Sequence, residues 1–171
     1  MPADSPVAAG RPIHPATRIG HVHLKVADID RALAFYVGVL GFEITQRLGS
    51  RAAFVSAGGY HHHIGLNTWE SRGGSPPPPG STGLFHMAIL YPDRASLADA
   101  LRRVRGAGIA LEGAADHGVS EAIYLRDPDG NGIELYRDRP ESEWPRDAQG
   151  ALAMGSFPFD LEKLLAEAPP A

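Results

Sequence analysis

The sequence predicts an α+β fold of two βαβββ modules, paired into a curved mixed sheet with the helices on the outside. Three observations carry that reading. Strand, helix, glycine stop and strand recur at a shift of 65 positions: His86 falls under His21, Asp93 under Asp28, Gly106 under Gly41 and Ile109 under Ile44. A match of that kind marks two copies of one unit. Within each copy the apolar residues switch between the alternation of a half-buried strand and the spacing of an amphipathic helix. One such unit has a single apolar sheet face that it buries poorly alone, so two units must pack together.

The elements follow in order. Gly20 to Asp28 alternates polar and apolar residues as a strand. Asp28 is placed as a helix cap, and Ile29, Leu33, Tyr36, Val37 and Leu40 then fall at helical spacing. Gly41 sits where a left-handed residue ends a helix. Phe42 and Ile44 restart a strand, Arg51 to Ser56 makes another, and Tyr60 to Thr68 completes the first copy. In the second copy Phe85 to Asp93 is strand-like, and Ala95 to Arg105 reads as a helix with Leu97, Leu101 and Val104 inward. Glu121 to Arg126 and Ile133 to Arg137 flank Asp127-Pro128-Asp129-Gly130-Asn131-Gly132, a strong turn signal between strands. The expected organisation is a mobile tail over residues 1–17, a first module over 18–70, a Pro/Gly-rich linker over 71–83, a second module over 84–140 and an extension over 141–171. Pro76 to Pro79 stiffens the linker. Phe159 to Ala166 reads as a short helix that docks on the surface or on a partner subunit.

The chain of 171 residues is 43% apolar and 21% charged with a net charge of −4, the composition of a soluble globular protein. No apolar run approaches the roughly 18 residues that span a bilayer, and Met1 to Arg18 lacks the pattern of a secretory signal. A cytoplasmic protein with no membrane partner is expected. Mild acidity without a basic block excludes a nucleic-acid partner. The absence of cysteine excludes disulfides, thiolate metal sites and cysteine nucleophiles together. Any metal is therefore held by nitrogen and oxygen, and there are eight histidines to supply the nitrogen.

Side-chain parity selects among them. In the first strand Val22, Leu24 and Val26 pack under the helix, which sends His21, His23 and Lys25 to the concave face. His86 shares that face with Ala88 and Leu90, and Glu134 with Tyr136. Pairing the units brings His21, His86 and Glu134 to a common centre. Two imidazoles and one carboxylate suit Fe(II), Mn(II) or a similar ion and leave coordination positions open. The plainer alternative is three separate hydrogen-bonded residues in a polar cleft. His23 pairs with Ala88 at the repeat offset, so His21 is the candidate ligand and His23 its neighbour.

These residues resemble the vicinal oxygen chelate superfamily, which includes glyoxalase I, fosfomycin-resistance thiol transferases and extradiol catechol dioxygenases. The resemblance rests on Gly20-His21, on Ala34-Phe35-Tyr36 through Leu40-Gly41-Phe42, on His86, and above all on Asp127 through Leu135 (DPDGNGIEL). It covers roughly residues 18–140 and is greatest to the catechol 2,3-dioxygenase branch. It implies a glyoxalase-like fold and a divalent metal on His21, His86 and Glu134.

Gly65 stands at the position equivalent to Glu134, where glyoxalase I carries a fourth ligand. Three protein ligands suit chelation of a diol beside dioxygen. The resemblance further implies Tyr124 as a substrate-side tyrosine and His117 as a substrate-binding histidine, although the spacing between them is two residues shorter than in the extradiol enzymes. It implies His62 as a proton donor. Parity instead puts His61 and His63 on the face of Gly65, which keeps His63 as a rival unless the strand starts irregularly.

The expected activity is extradiol cleavage of a catechol-type aromatic diol by O2, with Fe(II), or else Mn(II), as the metal. A thiol transferase, a glyoxalase-type lyase and a ligand-sequestering protein of the same superfamily are the alternatives. Larger members of the branch have four modules with one active pair, whereas this chain has two. A homodimer is expected, with the modules pairing within one chain or swapping across two.

Overall fold

The computed structural model of the chain describes residues 10–170. The expectation of a mobile tail falls largely on residues 1–9, outside the described residues. The first module runs β1 (Val22–Lys25), α1 (Ile29–Leu33), a π-helical turn (Ala34–Val39), β2 (Glu43–Leu48), β3 (Ala52–Ser56) and β4 (Ile64–Asn67). The second runs β5 (Met87–Leu90), α2 (Arg94–Gly106), β6 (Leu111–Asp116), β7 (Ser120–Arg126) and β8 (Gly132–Asp138). Their four-stranded mixed sheets have matching orders, β1-β4-β3-β2 and β5-β8-β7-β6. The first strand of each lies parallel to the fourth and the other pairs are antiparallel. This is the α+β architecture expected from the repeat.

Local chemistry explains the boundaries. Asp28 Oδ1 accepts the Arg31 amide at 2.8 Å, and Asp93 Oδ1 accepts the Ser96 amide at 2.7 Å, so both aspartates cap helices. The first helix widens near its end, where the Leu40 amide reaches back five residues to the Phe35 carbonyl at 3.0 Å. That widening keeps Phe35 and Tyr36 both buried. Gly41 ends it at φ 85, but in the second module the left-handed position is Gly108 at φ 68. Gly106, to which the repeat assigned the stop, is instead the last helical residue, two positions before the observed stop.

β1 is shorter than the alternation from Gly20 to Asp28 because its partner β4 offers only four residues to pair with. The helix-facing residues Leu24, Val26, Ile64 and Leu66 join Leu97, Leu101, Ile133 and Leu135 in one apolar core that both modules share. α3 (Leu161–Leu165) docks on α2 of its own chain, with Leu164 fully buried and Glu162 2.8 Å from Arg105. Among the described residues no helix is long and apolar enough to cross a membrane.

The turn between β7 and β8 doubles as the joint between modules. Asp127 Oδ1 accepts the amides of Asp129 (2.9 Å) and Asn131 (2.8 Å), which shapes the turn. Its Oδ2 accepts the Tyr36 hydroxyl from the first module at 2.8 Å. Burial, then the charge of Asp127, pushes the Tyr36 hydroxyl well above its ordinary range, so it stays a donor. Asp129 Oδ1 accepts the Ala27 amide at 2.9 Å and the Arg31 guanidinium. Replacing Asp129→Ala leaves the Ala27 amide without its acceptor and is expected to cost about 1–3 kcal/mol. Urea unfolding measures it, and an unchanged midpoint would show that the joint carries no stability.

Candidate active site

The second module builds one half of the site. Ile133 and Leu135 of β8 are buried in the core, which turns Glu134 to the opposite face of the sheet. Met87 pairs with Ile133 and Ala88 with Glu134, so His86 lies one residue before β5, beside Gly132. A Cβ on Gly132 would sit 2.1 Å from the Phe85 carbonyl oxygen and 3.1 Å from the His86 Cα. Only glycine admits this approach, and it brings His86 Nε2 within 2.9 Å of Glu134 Oε2.

Tyr124 of β7 pairs directly with Glu134, and its hydroxyl stands 3.1 Å from Glu134 Oε1. His117 Nε2 lies 2.7 Å from the same hydroxyl, and His117 Nδ1 lies 2.7 Å from the Gly155 carbonyl. A carbonyl only accepts, so Nδ1 carries the hydrogen, and in a neutral ring Nε2 then accepts from Tyr124. The hydroxyl has one proton for two acceptors. Burial, the Glu134 charge and the hydrogen bond to that carboxylate push the Tyr124 hydroxyl up to about 12, which keeps it a phenol at neutral pH.

Gly155 is a contributor that sequence reasoning missed. The extension beyond β8 folds back onto the His117 loop. Phe157 forms a bridge with Asp116, Trp144 Nε1 donates to the Arg139 carbonyl at 2.9 Å, and Pro145 packs against Gly118. The available signal was composition: Trp144, Leu152, Met154 and Phe157 are too apolar a set for a free tail.

The first module builds the other half. The His21 and His62 rings lie 4.3 Å apart, and the His62 ring lies 5.1 Å from Phe54. His63 turns to Ser56 Oγ at 2.9 Å. Regular pairing starts only at Ile64, so strand alternation does not govern residues 61–62, and His62 reaches His21 from an irregular segment. Desolvation, then the neighbouring His21, His61, His23 and His63, holds His62 below the usual histidine range. His23 pairs with Gly65, and a Cβ there would meet the His23 ring at 2.9 Å. An imidazole therefore lies over the position equivalent to Glu134. Burial, then His21, lowers the His23 pKa.

The two halves stand apart. His21 lines a cleft of about 440 Å³ with Leu90, Tyr91 and Pro92, whereas His86 and Tyr124 line a separate cavity of about 260 Å³. Among the described residues no three His, Asp or Glu side chains gather as one metal ion requires. The structure thus joins His86, Glu134, Tyr124 and His117, and separately His21 and His62.

Residues 18–135 match the Glyoxalase/Bleomycin resistance protein/Dioxygenase superfamily. The chain belongs to that superfamily. It is 44% identical over 157 residues to the catechol-2,3-dioxygenase of Bacillus subtilis, a match that covers 91% of this chain and 54% of that one. It is 31% identical over 123 residues to biphenyl-2,3-diol 1,2-dioxygenase 3 of Rhodococcus globerulus, covering 71% of this chain and 63% of that one. The chain thus spans between half and two thirds of the length of these relatives. The crystal structure of lactoylglutathione lyase from Agrobacterium tumefaciens superposes with a TM-score of 0.56 at 27% identity, over 72% of this chain and 96% of that one. One superfamily fold therefore accommodates proteins named for ring cleavage and for lyase chemistry, and side chains must discriminate between them.

Replacing Gly132→Ala forces the Phe85–His86 backbone away from β8. The expected loss is about 1–3 kcal/mol, read by thermal unfolding, with the His86 imidazole resonances displaced in NMR spectra. Unmoved resonances would show that Gly132 does not set the position of His86.

Proposed function

We propose that this chain is a metal-dependent extradiol dioxygenase, which opens the ring of a catechol-type aromatic diol with O2. The observation that carries the reading is the line His86–Glu134–Tyr124–His117, joined at 2.9, 3.1 and 2.7 Å. It places an imidazole–carboxylate pair beside a phenol and a second imidazole. The donor set fits a divalent ion: nitrogen and oxygen only, with the His86 side chain 32% exposed and free to turn toward a cation. His86 and Glu134 would hold it with His21. Fe(II) bound there, or Mn(II) in its place, would supply the Lewis acidity and one-electron chemistry needed to bring a diol and O2 to reaction.

The remaining work falls to the chain's own residues. The Tyr124 hydroxyl, held as a phenol, positions a substrate oxygen by hydrogen bonding. His117, fixed by the Gly155 carbonyl at Nδ1, presents Nε2 for proton exchange with Tyr124. His62, beside His21, would supply or relay protons to the reacting oxygens. Gly65 offers no fourth side chain, which favours two external oxygen ligands over a closed set of four protein ligands. The likeness to a lyase supports the glyoxalase-type alternative, and Gly65 argues against it.

Anaerobic loading with Fe(II), followed by catechol and air, is expected to give oxygen uptake and a coloured ring-fission product. Neither signal appearing would overturn the dioxygenase reading. Replacing Glu134→Gln is expected to weaken metal retention by more than the roughly 10–100-fold that loss of an outer-shell partner costs. Metal analysis after gel filtration checks this, and full retention would remove Glu134 from the ligand set.

A further inference from the structure

We propose that the aromatic diol carries a carboxylate on its ring, para to one hydroxyl, and that Arg126 selects for it. The inference rests on the dioxygenase reading above and names a substrate class for it. It starts from the wall of the cavity that holds His86 and Tyr124, which Phe85, Glu112, Gly113 and Arg126 also line. Arg126 lies two residues beyond Tyr124 in β7, so strand alternation sets both side chains on one face of the sheet. Gly132 pairs with Arg126 as Glu134 pairs with Tyr124. Arg126 therefore stands at the end of the site where Gly132 meets His86.

A bulge in β6 supplies its partner. Leu111 pairs with Leu125 and Gly113 with Tyr124, which leaves Glu112 as the extra residue between them. Arg126 Nε donates to Glu112 Oε1 at 2.7 Å, and both side chains are about half exposed. Gly113, opposite Tyr124, adds nothing above the sheet, since a Cβ there would meet no atom within 4 Å. That open floor accommodates a flat ring beside the phenol.

The ion pair decides what the far end of the ring carries. A hydrocarbon substituent laid over it strips water from two charges and returns no hydrogen bond, which is unfavourable. A carboxylate instead replaces Glu112 at the guanidinium with a new charge-assisted pair. The two partners are not equally held. Arg126 Nη1 also donates to the Gly130 carbonyl at 2.7 Å, whereas the Glu112 side chain has Arg126 as its one hydrogen-bond partner among the described residues. A half-exposed ion pair is worth little, so Glu112 swings aside and Arg126 stays. A cationic substituent would require the reverse, with the tethered residue leaving. The reach agrees as well. Two residues of strand span about 7 Å, close to the separation of a phenolic oxygen from a carboxylate across one benzene ring.

Three diols of one ring test the assignment: 3,4-dihydroxybenzoate, 4-methylcatechol and 3,4-dihydroxybenzylamine, which present an anion, a methyl group and a cation. Anaerobic titration calorimetry of the Mn(II)-supplied protein is expected to rank the benzoate tightest. In Arg126→Gln the preference for the benzoate over 4-methylcatechol should fall roughly tenfold, the worth of one charge-assisted hydrogen bond. In Glu112→Gln, which removes the competing carboxylate, it should rise roughly twofold to fivefold. Because each readout is a ratio within one protein, a general loss of folding does not imitate it. Equal or tighter binding of 4-methylcatechol by the unaltered protein, or a preference that Arg126→Gln does not change, would overturn the inference. Tightest binding of the amine would give the selecting role to Glu112 and overturn it as well.

Oxygen uptake by the Fe(II)-loaded protein separates this inference from the reading beneath it. Arg126-dependent preference for the benzoate, with no uptake from any of the three diols, would uphold the anion site and overturn ring cleavage. Uptake from all three, with a preference indifferent to Arg126, would leave ring cleavage standing and overturn the anion site.

Discussion

Asp127 is buried in a five-residue turn, and its two carboxylate oxygens serve different modules. One oxygen collects the turn's own amides, and the other receives the Tyr36 hydroxyl from across the chain. A buried carboxylate is tolerable only when its lone pairs are filled, so the turn forms well only when the first module is seated on it. Asp129 adds two more bonds in the same direction. The order of β5 against β8, the approach of His86 to Glu134 and the direction of β1 relative to β5 all follow from where this turn sits. The motif that marks the superfamily in sequence is therefore the hinge pin between its modules as well as a strand connector.

Much of this was legible in the chain. The repeat shift located both caps and both modules because equal folding units place equal residues at equal offsets. Strand parity put Glu134 opposite the core, since the alternation of two residues is strict inside regular strands, while Tyr124 came from the resemblance and its place across from Glu134 is seen only in the structure. Parity failed between Tyr60 and His63, where no ladder enforces alternation and His62 lies beside His21. The stop at Gly108 was missed because the second helix runs two residues further than the repeat offset allows. The common centre expected of His21, His86 and Glu134 is not formed within the chain, where His21 and His86 line separate cavities, because parity says which face a residue occupies and nothing about which two faces meet.

Two glycines show how an absent side chain organises a site. At Gly132 the missing Cβ lets another stretch of backbone pass, and at Gly65 it lets an imidazole lie flat over the sheet. These are pseudo-equivalent regions of the repeat with opposite outcomes. One module keeps a carboxylate with a histidine drawn in beside it, and the other replaces the carboxylate by space that His23 fills. Duplication followed by such asymmetry yields one carboxylate per pair of modules.

The extension that reaches His117 has a different physical standing from the sheet it serves. No residue between Trp144 and Phe159 is buried, and segments with so little buried surface open at a small fraction of the global unfolding free energy. Gly155 nonetheless fixes which nitrogen of His117 bears the proton. The tautomer of His117 is thus governed by a segment with little buried surface, and thermal fraying of that strap frees the imidazole to reverse its donor and acceptor while every strand remains intact.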